Sequence, residues 1–357
     1  MRRPVISAPR FAIEWVRGVR GEDVTIEVMH PEGAAVGAGD PILYITGSFA
    51  ALAELETLYL QKLGAPCVAA WNAWAMCLEL PQVGFLAMDA RHCAGTEMAE
   101  MMAYAASVGS RAAQKQGAKG FIGNATDATA HWFGLNRGRG TMPHALILCM
   151  GSTVEAIRAF EEVIEPKVKR VALIDTFLDE KFECLNVVEA MGERLFAVRF
   201  DTPSSRRGNF YRILEESRWE LNLRGYRNVK FYVSGGIREE DIPELNPLVD
   251  GYGIGTSISD APVVDYAMDI VEVDGKPCAK RGKWSGSKRV LRCPGCDGRK
   301  IAANIADRHT CSCGGILDDL LIPVLDNGKY RIRIAKPSQI RDYVLKNTKN
   351  LPLSPPS

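Results

Sequence analysis

From residue 84 onward the chain repeats one pattern: a short apolar run, a polar or glycine-rich stop, then a helical segment. The apolar runs are GFLAMDA, GFIGN, VALIDT, LFAVRFDT, VKFYVSGG and GYGIGTS. Helical periodicity follows in 96–116, in STVEAIRAFEEVI, in KFECLNVVEAM and in NFYRILEESRWELNL, with REEDIPELN a shorter segment between two runs. Strands alternating with helical segments of about 10–15 residues predict βαβ units on a parallel sheet. One more apolar run, HALILCM, reads as a strand or a buried helix opened by His144.

The predicted strands all end in chemistry. The endings are Asp89 with Arg91, Asn124 with Asp127, Asp175 with Thr176, Arg199 with Asp201, Ser234-Gly235-Gly236, and Gly253-x-Gly255-Thr256. In an α/β barrel the active site is built from the C-terminal ends of several strands at once. Glycine-rich turns after the last two strands suit a phosphate, because backbone N–H groups must approach the anion closely. Ordinary left-handed turns would leave the same glycines with no ligand. Arg199 and Asp201 lie two apart and so share one face of their strand.

Upstream, 22–46 alternates short strand-like runs with Pro-Glu-Gly and Gly-Asp-Pro turns, and 49–80 is rich in Ala, Leu, Glu and Met and reads as helical. Net charge is +1, which gives no field for a nucleic acid or a membrane surface. No apolar stretch is long enough to span a bilayer, and the start reads as mature protein. Ten cysteines in 357 residues are too sparse for a disulfide scaffold, so a reducing cytoplasm is expected. Six are scattered in mostly apolar surroundings. The other four form Cys293-x2-Cys296, fourteen residues, then Cys311-x-Cys313, with glycines beside both pairs. That spacing predicts a tetrahedral zinc site, and a closed four-thiolate site is structural. A redox dithiol is the alternative.

These runs resemble the nicotinate phosphoribosyltransferases, especially archaeal-type members with a C-terminal zinc knuckle. The resemblance rests on GTMPHA (140–145), LIDTFLDEKF (173–182), RFDTPSSRRGNF (199–210), VSGGI (233–237), GIGTSIS (253–259), AMDIVEVDGKP (267–277) and RGKWSGSKRVLRC (281–293). It covers about 40–334. It implies an α/β fold: the irregular α/β barrel of the type II phosphoribosyltransferases over 81–264, and a small N-terminal α/β sandwich domain over 1–80, joined by 265–290. A zinc-knuckle domain over 291–335 and a disordered tail over 346–357 complete the expected organisation. The implied reaction forms nicotinate mononucleotide and pyrophosphate from nicotinate and phosphoribosyl pyrophosphate, in NAD biosynthesis, with ATP hydrolysis coupled to it. At least a homodimer is implied.

By the same resemblance, His144 is phosphorylated by ATP. A neutral imidazole nitrogen is a competent phosphoryl acceptor. Asp201 and Asp175 would serve the ribose hydroxyls and Mg. Backbone amides around Ser234, Gly235, Gly236, Gly255 and Thr256 would take the 5′-phosphate. Arg199 belongs beside base and phosphates, Arg91 with a substrate carboxylate, Asp127 near the base and Arg139 near the phosphates. Lys283, Ser285 and Lys288 resemble a basic segment at the family's site boundary. One departure stands out: the family's N-terminal Asp-x-Tyr stretch, whose tyrosine stacks on the base, has no counterpart before Phe11. Quinolinate and nicotinamide therefore stay open as alternative bases. A non-catalytic phosphoribosyl-binding relative, acting as sensor or partner subunit, is the reading from another class.

Overall fold

The computed structural model of the chain describes residues 3–140, 142–237, 241–260, 264–303 and 309–332. Thr141 of the GTMPH run and the tail 346–357, expected to be disordered, lie outside the described residues. The chain divides into two compact units. One comprises Met1–Ala75, Val108–Gln116 and Ala261–Ser357, the other Met76–Ser107 and Gly117–Asp260.

The second unit holds a six-stranded sheet. Its strands are β1 (Gly84–Ala87), β2 (Gly120–Asn124), β3 (Arg170–Leu173), β4 (Leu195–Phe200), β5 (Lys230–Val233) and β6 (Gly251–Ile254). Every pairing between them is parallel. The order is β2-β1-β6-β5-β4-β3. The first and last strands of this sheet in chain order are therefore neighbours, and the seam falls between the consecutive strands β2 and β3. Phe85, Ala172, Val198, Phe200, Phe231 and Ile254 are fully buried. Rings bridge adjacent strands: Phe85 packs on Phe121 and Tyr252 with centroids 5.5 and 5.9 Å apart, and Phe200 on Phe231 at 5.0 Å. Such apolar continuity is what parallel strands covered on both faces require.

Helices pack after the strands, and local capping sets their starts. Ser152 Oγ accepts from Glu155 N at the head of Thr153–Val163. Asp179 does so for Glu180–Met191, and Asn209 for Phe210–Leu223. Each side chain satisfies a backbone donor that the first helical turn would otherwise leave open.

HALILCM is neither a strand nor a buried helix. It is the helix His144–Met150, closed by Gly151 at φ 79°. Only Ile147 is buried; Leu148 is 60% exposed and Met150 41%. Proline before the run and a left-handed glycine after it leave room for two turns, and the apolar character of the run does not report burial.

In the first unit a four-stranded antiparallel sheet runs in the order Lys329–Tyr330, Ile322–Asp326, Val24–Val28, Leu43–Gly47. The segment after the four clustered cysteines thus adds strands to the N-terminal sheet. Arg289–Arg292 pairs with Arg299–Ala302 and Asp318–Asp319 in a smaller sheet. The helix Glu56–Glu79 buries Trp71 and Trp74, whose rings sit 4.8 Å apart. Gly109, in the helix Thr96–Gln114, meets it at Ala70; a Cβ there would lie 2.1 Å from the Ala70 carbonyl oxygen. Among the described residues no helix is long and apolar enough to cross a membrane.

Two outcomes follow. Gly109→Ala is expected to lower the free energy of unfolding by about 3 kcal/mol in chemical denaturation, because the clash is with backbone and cannot be relieved by a rotamer change. His30 is buried beside Asp40, with Nε2 3.8 Å from its carboxylate, and burial, then Arg299 and Arg292, push its pKa down to about 3. The unfolded chain takes up this proton below about pH 6.5 and the native state does not, down to about 3. Its effect on stability is absent above that window, and stability is lost as pH falls through it, at up to about 1.4 kcal/mol per unit. In His30→Gln the slope of unfolding free energy against pH between 6 and 4 (approximate limits) is expected to fall by about one proton.

Candidate active site

Six parallel strands place all their C-terminal ends on one rim. The loop after β3 carries Asp175 and Thr176, the loop after β4 carries Asp201, and the turn after β5 carries Ser234 and Gly235. The long crossover from β2 to β3 brings in His144 at the first position of its helix.

These residues touch. His144 Nδ1 lies 3.1 Å from Thr176 Oγ1. Its Nε2 lies 3.4 Å from Asp201 Oδ2 and 3.7 Å from Asp175 Oδ2. Ser234 Oγ donates to the other Asp201 oxygen, Oδ1, at 2.5 Å. Against an ionised carboxylate, which only accepts, the tautomer that fits both contacts has its proton on Nε2 and turns the Nδ1 lone pair to the Thr176 hydroxyl. His144 is half-buried, with 39% of its side chain exposed, whereas Asp175 is 4% exposed. Burial raises the Asp175 pKa; His144 opposes the rise and Asp201 adds to it. Among the described residues, Asp175 Oδ1 is buried without a hydrogen-bond partner.

Arg199 projects from β4 beside the two carboxylates. Its Nη2 donates to Met142 O at 3.1 Å, which ties the strand to the segment leading into His144. Burial lowers its pKa, Asp201 and Asp175 raise it, and Arg91 lowers it further. Arg91 therefore lies within electrostatic reach of Arg199. Its Nε donates to His92 Nε2 at 3.3 Å. A Cβ on Gly255 would sit 3.1 Å from the same His92 nitrogen, so the turn after β6 abuts the Arg91–His92 turn. Thr256 opens the four-residue helix Thr256–Ser259.

The contacts of Asp127 and Arg139 lie around the end of β2. Asp127 Oδ1 accepts from Gly138 N at 2.7 Å and so closes its own loop. Arg139 N donates to Asn124 O at 2.7 Å, and its side chain covers Gly123. Three residues given no role from sequence belong to the rim. Thr176 holds the ring of His144. Arg207 donates through Nη2 to Gly235 O and through Nε to Thr202 O. Asp89 is 3% exposed, and burial pushes its pKa up to about 6. Each lies within a motif already singled out, but only the fold shows which neighbour it meets.

In the other unit, the four thiols of Cys293, Cys296, Cys311 and Cys313 lie within 4.8 Å of one another. Cys293 and Cys313 are 3.5 Å apart, Cys296 and Cys311 3.4 Å. The edge of a tetrahedron with metal–sulfur bonds of 2.3 Å is about 3.8 Å. The glycines are needed here: a Cβ on Gly298 would come within 2.9 Å of Cys311 Sγ, and one on Gly315 within 2.9 Å of Cys293 Sγ. Backbone N–H groups of Cys296 and then Gly295 lower the Cys293 pKa, and that of Cys313 brings Cys311 down to about 6. The donor set fits a thiophilic metal ion.

Comparison with known proteins bears on the rim. Residues 106–269 match the quinolinate phosphoribosyl transferase C-terminal domain. A crystal structure of nicotinate-nucleotide pyrophosphorylase from Pyrococcus furiosus superposes with a TM-score of 0.85 at 40% identity, over 98% of this chain and 86% of that one. The chain belongs to the nicotinate and quinolinate, or type II, phosphoribosyltransferase family. Human nicotinic acid phosphoribosyltransferase shares the family fold, at TM-score 0.68 and 17% identity over 98% of this chain and 87% of that one. The nicotinate phosphoribosyltransferase pncB1 of Mycobacterium tuberculosis is 30% identical over 308 residues, 82% of this chain. The chain spans 61% of the length of that curated relative.

Titration with Co2+ is expected to give about one metal per chain and the intense absorption of thiolate ligation. Gly298→Ala should lower the Co2+ affinity about tenfold or more, since roughly 1.4 kcal/mol of misplacement suffices.

Proposed function

We propose that the chain is a nicotinate phosphoribosyltransferase that forms nicotinate mononucleotide and pyrophosphate from nicotinate and phosphoribosyl pyrophosphate. The observation that carries this reading is the contact of His144 with Asp201 and Asp175 on the rim where the parallel strands end. Pyrophosphate leaves C1 of the ribose through an oxocarbenium-like state, and the pyridine nitrogen attacks that carbon. The carboxylates of Asp175 and Asp201 favour positive charge developing on the sugar. Asp175 Oδ1, buried and without a hydrogen-bond partner, is suited to a ribose hydroxyl or to Mg2+. Mg2+ would neutralise charge on the pyrophosphate. Amides of Gly235, Gly236, Gly255 and Thr256 take the 5′-phosphate. Arg91, beside His92, meets the nicotinate carboxylate with a planar fork, and Arg199 steadies the phosphates.

ATP coupling follows from the state of the imidazole. With Nε2–H held by Asp201, Nδ1 is the nucleophilic nitrogen. It attacks the γ-phosphorus of ATP, the bond to the bridging oxygen breaks, and ADP leaves. The four-cysteine cluster holds a structural zinc, because four thiolates leave no open coordination position. The parts of the chain that carry this reading lie in NAD biosynthesis by chemistry: the product is a pyridine mononucleotide.

A second reading takes quinolinate as the base, favoured by the match of 106–269 to the quinolinate family domain. Arg91 and Arg199 could then each meet one carboxylate. That reaction loses CO2, which already drives it forward, and gives a phosphorylated His144 no task.

The test is a product assay by mass. The full chain is incubated with phosphoribosyl pyrophosphate, Mg2+ and nicotinate, nicotinamide or quinolinate, each with and without ATP. Nicotinate is expected to give mononucleotide at a rate raised by ATP, and His144→Ala should lower the ATP-stimulated rate about tenfold or more, a barrier increase of roughly 1.4 kcal/mol. Product from quinolinate alone, with CO2 release, would establish the second reading. No product from any base in a folded sample would leave the chain as a binding relative.

A further inference from the structure

We propose that Ser234 is a positioning residue that couples the charge on His144 to the phosphate-binding turn. The inference rests on the functional reading above and assigns a regulation within that site. Ser234 is 2% exposed, so no solvent replaces its partner. Its single proton goes to Asp201 Oδ1 at 2.5 Å. The opposite oxygen of the same carboxylate, Oδ2, faces His144 Nε2 at 3.4 Å. One carboxylate thus bridges the imidazole and the first residue of the Ser-Gly-Gly turn.

The turn has no freedom to ignore a movement of that carboxylate. Gly235 sits at φ +83°, and a Cβ there would come within 2.9 Å of Asp201 O and 3.0 Å of Asp201 Oδ1. The backbone carbonyl and the carboxylate of Asp201 thus fill the space where a Gly235 side chain would begin. Arg207 fixes the turn through another atom. Its guanidinium donates to the Gly235 carbonyl and to Thr202 O, and lies 4.8 Å from the Phe210 ring centroid. Gly235 is thereby held between Asp201 and Arg207, and its peptide orientation is set by both.

The charge on His144 changes the force on this arrangement. A protonated imidazole attracts Asp201 Oδ2. A phosphoryl group on the ring places a second anion near the carboxylate and repels it. Asp201 answers by turning about the atom that Ser234 holds, or by drawing Ser234 with it. In either case the amides of Gly235 and Gly236 are re-aimed, and with them the affinity for the substrate's 5′-phosphate. Without the Ser234 hydroxyl, Asp201 can respond to His144 while the turn stays where Arg207 leaves it.

A double-mutant cycle on substrate binding measures the coupling directly. Equilibrium binding of phosphoribosyl pyrophosphate with Mg2+ is measured by calorimetry for the full chain, Ser234→Ala, His144→Gln and the double variant. The two changes are expected to be non-additive by about fivefold or more in dissociation constant. Ser234→Cys, nearly isosteric with a weak S–H donor, replaces Ser234→Ala should the latter unfold, and should show a smaller but measurable coupling. Additivity within about twofold in proteins that still bind the substrate overturns the role of Ser234 and leaves the functional reading intact. Failure of the unsubstituted chain to bind phosphoribosyl pyrophosphate overturns both.

Discussion

The Asp201 carboxylate holds together groups that the chain brings from far apart. His144 stands 57 residues before it and Ser234 33 residues after it, yet each meets one of its two oxygens. A carboxylate with both oxygens engaged keeps its orientation, and it passes any force on one side to the other. The parallel register of β4 and β5 puts Asp201 and Ser234 at neighbouring strand ends, and the seam of the sheet gives the crossover from β2 room to deliver the histidine. The candidate site is therefore a property of the sheet's direction before it is a property of any loop.

On the rim the polar groups are left partly unmet: Asp175 Oδ1 has no hydrogen-bond partner, and His144 is half exposed. Unsatisfied buried acceptors are costly unless something uses them. Around the cysteine cluster of the other unit, charged side chains pair with one another and with backbone. Arg299 reaches both Asp40 Oδ2 and Ala35 O, Asp40 also accepts from Gly37 N, and Arg292 pairs with Asp297 within the cysteine loop. These contacts link the cysteine loop to the segment 35–40.

Much of this was legible in the sequence, for physical reasons. Six apolar runs with polar endings give strand direction and rim chemistry, because a parallel sheet needs helical crossovers and both features repeat. The two close cysteine pairs name their own cluster. What the sequence hid was partnership. Nothing in IDT tells that Thr176 faces a histidine, and nothing in SSRRGN tells which of two arginines reaches Gly235. HALILCM misled because apolar residues imply burial only when an element covers them. The pairing of Ile322–Asp326 with Val24–Val28 joins residues about three hundred positions apart, and local patterning carries no record of such distances.

That pairing also bears on the order in which the chain can be made. Val24–Val28 lies between Leu43–Gly47 and Ile322–Asp326. As the protein emerges during synthesis, one edge of this strand stays open until nearly the whole chain has been produced. An open edge is a template for another chain, and closing so long a loop is slow. The unit built from Met76–Ser107 and Gly117–Asp260 meets no such delay, since all its strands lie within a shorter stretch. Nascent chains stalled before residue 322 would then hold every strand of the parallel sheet while the N-terminal strand still has an open edge.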